Sequence, residues 1–366
     1  MIFTGRHPAG RPEQDLKPDF SVLEPETMNT LADKLNQPLT IGNRIIPNRL
    51  IMAPMAGLTH VALRTLVRQY GGCGLYFTEM CAAGRVPFEN RAVSPVFRWE
   101  DTEREFLVCQ IVGADPAVMA SAARRIESEG LFGVDINFGC SAAAILKKKA
   151  GAAVIDEPKR SEAIVKAVRD AVSIPVLVKF RTGRSDNPAI AEDLAKRFEG
   201  AGADALVFHP RVTPDRRSRP PKWQYISRVK NAVSIPVFGN GEVFEKEDAE
   251  RMLESTGCTG ISLGRIVAAR PWVFAQWTGN MAAGPDIYRQ TGHCMTDLIY
   301  SFFDPETAEK RFRKWAVFFS ASFKFGHSFL LMLCRQKTPE EIHFAIDAFF
   351  DQSPPVCKRP NLNLFR

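Results

Sequence analysis

VDINFGC, residues 134–140, opens as an uninterrupted buried strand and breaks at Phe138-Gly139, which sets Cys140 on the loop beyond. Asn137 stands two residues before the turn, and SAAAILKKKAGAA follows, with Lys147, Lys148 and Lys149 in a run of small residues. A strand that ends in Asn, Gly and Cys places reactive atoms at the carboxyl end of a sheet, where α/β enzymes keep their chemistry.

Seven further runs of the same kind flank it. RLIMAPMAG (49–57), GLYFTEM (74–80) and FLVCQIVG (106–113) precede it; IPVLVKFRTG (174–183), DALVFHPR (204–211), IPVFGNGEV (235–243) and GISLGR (260–265) follow. All are continuously apolar, the pattern of strands buried on both faces. Helical stretches lie between them, as in PAVMASAARRIESEG, PKRSEAIVKAVRDAV and AIAEDLAKRFEGAG. Eight such units predict a (β/α)8 TIM barrel with its active site on the carboxyl-terminal rim. A doubly wound open sheet competes, but polar residues ending nearly every strand favour the barrel. AVSIPV occurs twice, at 171–176 and 232–237, each time where proline turns a helix end into a strand.

Residues 1–37 read as a disordered extension and 38–285 as the barrel. Residues 286–350 form a small helical domain, built from HCMTDLIYSFF, AEKRFRKWAVFFSASFKFGHSFLLML and TPEEIHFAIDAFF; 351–366 read as a flexible tail. The middle helical stretch mixes Lys310, Arg311, Arg313, Lys314 and Lys324 with Phe312, Trp315, Phe318 and Phe319. Such a mixture either grips phosphates and stacks bases or buries an aromatic stripe beneath a solvated basic face.

The 366 residues are 45% hydrophobic and contain no apolar run long enough to span a membrane. The amino terminus lacks the apolar core of a secretory signal. Eight cysteines without CxxC spacing speak for free thiols in a reducing cytoplasm and against zinc. A net charge of +7 favours an anionic partner, nucleic acid above all.

The strand ends carry the candidate chemistry. Lys179, followed by Arg181, ends strand five and His209 ends strand six, a cationic pair for a ligand that carries negative charge when reduced. Gln110, ending strand three, suits the edge of a heterocycle. Gly239-Asn240-Gly241-Glu242 and Gly264-Arg265 end strands seven and eight, where barrels hold phosphate. A mononucleotide is therefore expected, FMN before NAD, because no GxGxxG follows the first strand. Cys140 then serves as proton donor beside a hydride-donating flavin.

NRLIMAPMAGLT (48–59), TEM (78–80), VDINFGC, VKFRTG (178–183), His209 with Arg211, IPVFGNGEV, and GR before RPWVF (271–274 for PWVF) together resemble the tRNA-dihydrouridine synthase family, the bacterial B-type members most closely. The resemblance runs from about Pro38 to Gln276 and more weakly to about 350. It implies Pro54, Met55 and Ala56 beneath the flavin, and Gln110, Lys179 and His209 on its ring and ribityl chain. It implies Asn240, Gly241, Glu242, Gly264 and Arg265 at the phosphate, Asn137 with Arg181 orienting uracil, and Cys140 protonating C5 after hydride reaches C6. It further implies NADPH as electron source and a folded RNA, transfer RNA first, bound against the helical domain; ribosomal RNA is the alternative that the chain's departures from the family raise, and a monomer is expected.

The chain departs from the family where RNA would meet it. Ser141 replaces the usual proline, Ala143 and Ala144 a basic pair, His60 an aspartate and Pro210 a glycine; Thr213–Lys222 is unusually rich in Arg and Pro. Two other readings compete: a flavoenzyme for a small alkene or pyrimidine, and an RNA-binding paralogue without catalysis.

Overall fold

A computed structural model describes residues 30–213, 219–279, 281–284 and 286–362. All eight expected strands form, as β1 (Leu50–Met52), β2 (Tyr76–Phe77), β3 (Leu107–Val112), β4 (Gly133–Phe138), β5 (Val176–Gly183), β6 (Ala205–Val212), β7 (Val237–Asn240) and β8 (Gly260–Leu263). They pair in parallel in the order β2-β3-β4-β5-β6-β7-β8-β1. A parallel bridge from Ile51 to Leu75 joins β1 to β2 and closes the barrel.

The apolar runs divide by alternation into two layers. Val134, Ile136 and Phe138 pack outward under the helices, while Leu177, Val207 and Phe238 fill the interior. An antiparallel hairpin, Leu39–Ile41 with Arg44–Ile46, adds Ile41 and Ile46 to that interior cluster and plugs the amino-terminal end. The opposite end is polar. Between β2 and β3 the expected helix is absent; a two-residue strand, Cys81–Ala82, and 3-10 turns at Val86–Phe88 and Asp101–Phe106 take its place.

The helical region has four helices: α1 (Ile287–Phe302), α2 (Pro305–Ser320), α3 (Gly326–Arg335) and α4 (Pro339–Phe350). The long middle stretch thus breaks in two before Gly326. The α2 aromatic stripe is core: Phe312, Trp315 and Phe319 are buried away from the barrel mouth, which removes them from base stacking, while Phe318, also buried, lines the cavity at that mouth. Arg311 of α2 forms a buried ion pair with Glu79 (2.6 Å), and Tyr70 bonds Thr291 of α1 (2.7 Å), so the helices are seated on the β1–β2 side of the rim.

Both ends of the chain correct their sequence reading over the described residues. Leu31–Leu35 is a helix opened by a Thr30–Asp33 capping box, with Leu31 and Leu35 buried; the T-x-x-D signal lies inside the stretch read as disordered extension. The carboxyl-terminal segment is held, too. Cys357 N–H bonds Ser322 O (2.7 Å), Arg270 bonds Cys357 O (2.6 Å), Arg359 pairs with Asp248 (2.7 Å), and Leu362 is buried. Its prolines remove donors but leave carbonyls, and arginines of the barrel take up carbonyls of this segment. Residues 1–29 and 363–366, and Pro214–Ser218 of the arginine-rich loop, lie outside the described residues.

Candidate active site

A cavity of about 450 Å³ opens at the carboxyl-terminal ends of the strands. Every residue to which the family resemblance gives a cofactor, substrate or catalytic role lines it: Cys140 and Asn137; Gln110; Lys179 and Arg181; His209; Pro54, Met55 and Ala56; and Asn240, Gly241, Glu242, Gly264 and Arg265; Gly239, of the same β7 end, does not. The parallel register explains the convergence. Asn137 lies beside Lys179 across β4–β5, and Arg181 beside His209 across β5–β6. Residues two apart on one strand share a face, so Lys179 with Arg181, and His209 with Arg211, point the same way.

The cavity is strongly cationic. Among the described residues, Lys179, Arg181, Arg211, Arg265 and Lys314 face a single lining carboxylate, Glu242, which is bonded to Arg211 at 2.5 Å. Lys179 Nζ lies 3.5 Å from Asn240 Oδ1, which links the β5 and β7 sides. Burial pulls the Lys179 ammonium downward and Arg181 adds to this; the fields of Asp135 and Cys140 oppose them. Burial, then Arg181, Lys179, Arg211 and Arg265, hold His209 well below the usual histidine range, so it is neutral near pH ~7.

At the β3–β4 side the polar groups form a chain. Gln110 Nε2 donates to Asp135 Oδ2 (2.6 Å), Asn137 Nδ2 donates to Gln110 Oε1 (2.8 Å), and Asn137 Oδ1 accepts from the N–H groups of Gly139 (3.0 Å) and Cys140 (2.8 Å). Cys140 is half-buried. Its carbonyl accepts from Ala152 N–H at 2.9 Å, closing the loop on itself. Lys147, Lys148 and Lys149 do not line the cavity; Arg181 and Lys179 are cations that share it with Cys140.

The donor set suits a phosphorylated flat ring. Gly241 has φ +126°, and a Cβ there would meet His209 Cδ2 at 2.9 Å. Around Gly264 the same test finds only Met55 Sδ at 3.7 Å and Ala53 Cβ at 3.9 Å, leaving open backbone above an apolar floor. Ser262 Oγ is buried beneath it without a partner among the described residues. Cations spread around the rim, open glycine backbone and an amide edge suit a flat, negatively charged ring ligand such as a flavin.

Residues 51–296 match the family described as dihydrouridine synthase. The chain belongs to that family. It is 38% identical over 236 residues to the tRNA-dihydrouridine synthase B of Pseudomonas aeruginosa, covering 64% of this chain and 70% of that one. It is 33% identical over 334 residues to a probable tRNA-dihydrouridine synthase of Mycobacterium tuberculosis, covering 84% of each. Among solved structures, a 2-naphthoyl-CoA reductase shares the fold at 14% identity, with TM-score 0.53 over 76% of this chain and 58% of that one. Histamine dehydrogenase from Rhizobium sp. 4-9 does so at 14% identity and TM-score 0.53, over 74% and 51%.

The family match contains every candidate residue, yet the sequence reading missed Asp135 and the Leu362 carbonyl altogether, and it named Arg211 and Lys314 without placing them in the site. Asp135 is a lone polar residue inside an apolar run. Arg211 sits one alternation beyond His209 and could have been read from that period. Lys314 reaches Ala56 O (2.6 Å) from α2, and Leu362 O accepts from Arg265 (3.0 Å); neither contact leaves a local signal.

Proposed function

We propose that this protein reduces uridine to 5,6-dihydrouridine in RNA, with transfer RNA as substrate, FMN as cofactor and NADPH as reductant, acting as a cytoplasmic monomer. One observation carries the reading: Cys140 opens onto the same cavity as the cationic strand ends of β5, β6 and β8. The family membership and the printed names of the relatives support it.

Asn240, the backbone of Gly241 and Gly264, and the Arg265 guanidinium would hold the phosphate. Glu242 joins them through its N–H, because its carboxylate is taken by Arg211. Pro54, Met55 and Ala56 would floor the ring, and Gln110, Lys179 and His209 would meet its edge and the ribityl chain. When bound and reduced, FMN supplies a hydride to C6 of the uracil. Lys179 favours the negative charge of that reduced ring. Asn137 and Arg181 orient the uracil, and Cys140 Sγ gives its proton to C5, leaving a thiolate that solvent reprotonates. The target uridine leaves its stack to enter a cavity of this depth.

The test uses FMN-loaded protein, reduced and then mixed without oxygen with an unmodified transfer RNA transcript, with ribosomal RNA or with free uridine. Transfer RNA should reoxidise the flavin and acquire dihydrouridine. Cys140→Ala should keep its flavin and slow the step by about 10²–10⁴, the usual worth of a general acid. Reoxidation by ribosomal RNA alone would replace the substrate. Turnover of free uridine as fast as RNA would make this a small-molecule reductase, and no reoxidation by any RNA would leave a binding protein.

A further inference from the structure

We propose that Asp135 is a positioning residue that fixes the donor–acceptor sense of the Gln110–Asn137 amide pair and, through it, the backbone of the Cys140 loop. The catalytic consequence rests on the proton-donor reading of Cys140; the positioning itself does not.

The argument is one of parity. At one end of the chain stand the N–H groups of Gly139 and Cys140, which can only donate. They take Asn137 Oδ1, so Asn137 Nδ2 must face the other way, toward Gln110. Gln110 then has to present Oε1 to Asn137, which turns its Nε2 toward Asp135. An acceptor is required there, and Asp135 Oδ2 supplies it at 2.6 Å. Oδ2 accepts in this way whether or not a proton resides on Oδ1, so the sense survives titration. With the chain oriented, each amide keeps one further N–H, and both residues line the cavity. Donors there suit the ring carbonyls of a pyrimidine-dione.

Asp135 is costly to keep. Its side chain has no exposure, and Oδ1 is buried without a hydrogen-bond partner among the described residues. Burial pushes its carboxyl upward, opposed by the Gln110 bond and by the field of Lys179. The strand interior would be filled at lower cost by an apolar residue, as it is by Leu177 beside it in the register. What an apolar residue cannot do is hold Gln110 in one of its two amide orientations.

The test reads hydrogen exchange of the Gly139 and Cys140 amides in FMN-loaded protein without RNA. Asp135→Leu removes the acceptor, and exchange there should accelerate about tenfold. Asp135→Asn keeps an acceptor oxygen and should exchange within about twofold of the parent protein. Gln110→Glu sets two carboxylates face to face and should accelerate exchange. Adding Asp135→Asn should restore it, since the introduced amide then donates to the introduced carboxylate, which still accepts from Asn137. In RNA turnover, Asp135→Leu should lower kcat with little change in KM. Unchanged exchange in Asp135→Leu, or equal acceleration in Asp135→Asn, overturns the proposal. If Asp135→Leu does not fold, failure of the double variant to restore exchange overturns it. Loss of the RNA reaction in every variant and the parent, with exchange as expected, would reject the proposed function and leave this inference standing.

Discussion

Cys140 owes its place to a glycine. Gly151 has φ +61°, and a Cβ there would lie 2.7 Å from Cys140 O, the acceptor that closes the loop. Gly151→Ala should therefore leave flavin content unchanged while slowing RNA-dependent reoxidation, at a strain of about 1–3 kcal/mol; parental rates would refute this. His60 gives a second prediction at this scale. It caps the helix Val61–Tyr70, and burial, then Arg311, Arg64 and Lys314, hold it well below the usual histidine range. The unfolded chain takes up a proton near pH ~6.5 that the folded chain refuses. The stability it contributes is complete above that pH and is lost progressively as pH falls below it toward the lower folded-state value. His60→Asn keeps a capping oxygen without the titration. Urea denaturation from pH ~7.5 down to ~5.5 should show a slope shallower than the parent's by up to about 1.4 kcal/mol per pH unit; parallel curves would contradict it. The strand-end residues were legible because each polar group interrupts an apolar run. Asp135 was not, because its meaning lies in Gln110 on the neighbouring strand, 25 residues away.

At the scale of elements, the repeated AVSIPV proves to be a repeated device. Glu127 Oε1 accepts from Ser173 N–H and Oγ–H (both 2.7 Å), and Glu199 Oε1 accepts from Ser234 N–H (2.8 Å) and Oγ–H (2.5 Å). Each loop is pinned by a glutamate from a helix earlier in the chain, so the repetition in sequence is repetition of a hydrogen-bonded turn. Helix α2 was ambiguous for the opposite reason. Its stripe shows that one face is apolar, and only docking decides what that face meets. The Arg311–Glu79 pair marks this docking, with Glu79 also accepting from Gly57 N–H in the turn after β1. Arg311→Ala should cost about 3–5 kcal/mol in urea denaturation, because Glu79 is left buried and unpaired. Arg311→Met with Glu79→Gln should recover much of that loss; a single variant as stable as the parent would show that the pair does not seat the helices.

For the whole molecule, the barrel was legible because eight apolar runs at regular spacing admit few closed arrangements. The carboxyl-terminal segment was not, since its order depends on partners that follow β7 and β8, 87 to 111 residues away. It crosses from Ser322 to Asp248 and ends with the Leu362 carbonyl on Arg265. A chain ending at Ser353 should bind FMN about tenfold more weakly, the worth of one lost charge-assisted bond at the phosphate arginine. Fluorescence titration checks this, and equal affinity would assign the segment to stability alone. The central claim is that RNA uridine is the substrate, and a dihydrouridine map of all cellular RNA tests it most directly. The map would be compared between the parent strain, one lacking this gene and no other family member, and that strain carrying Cys140→Ala. The account predicts loss at defined transfer RNA positions, restored by the parental gene and not by the variant. An unchanged map with the gene expressed would contradict it.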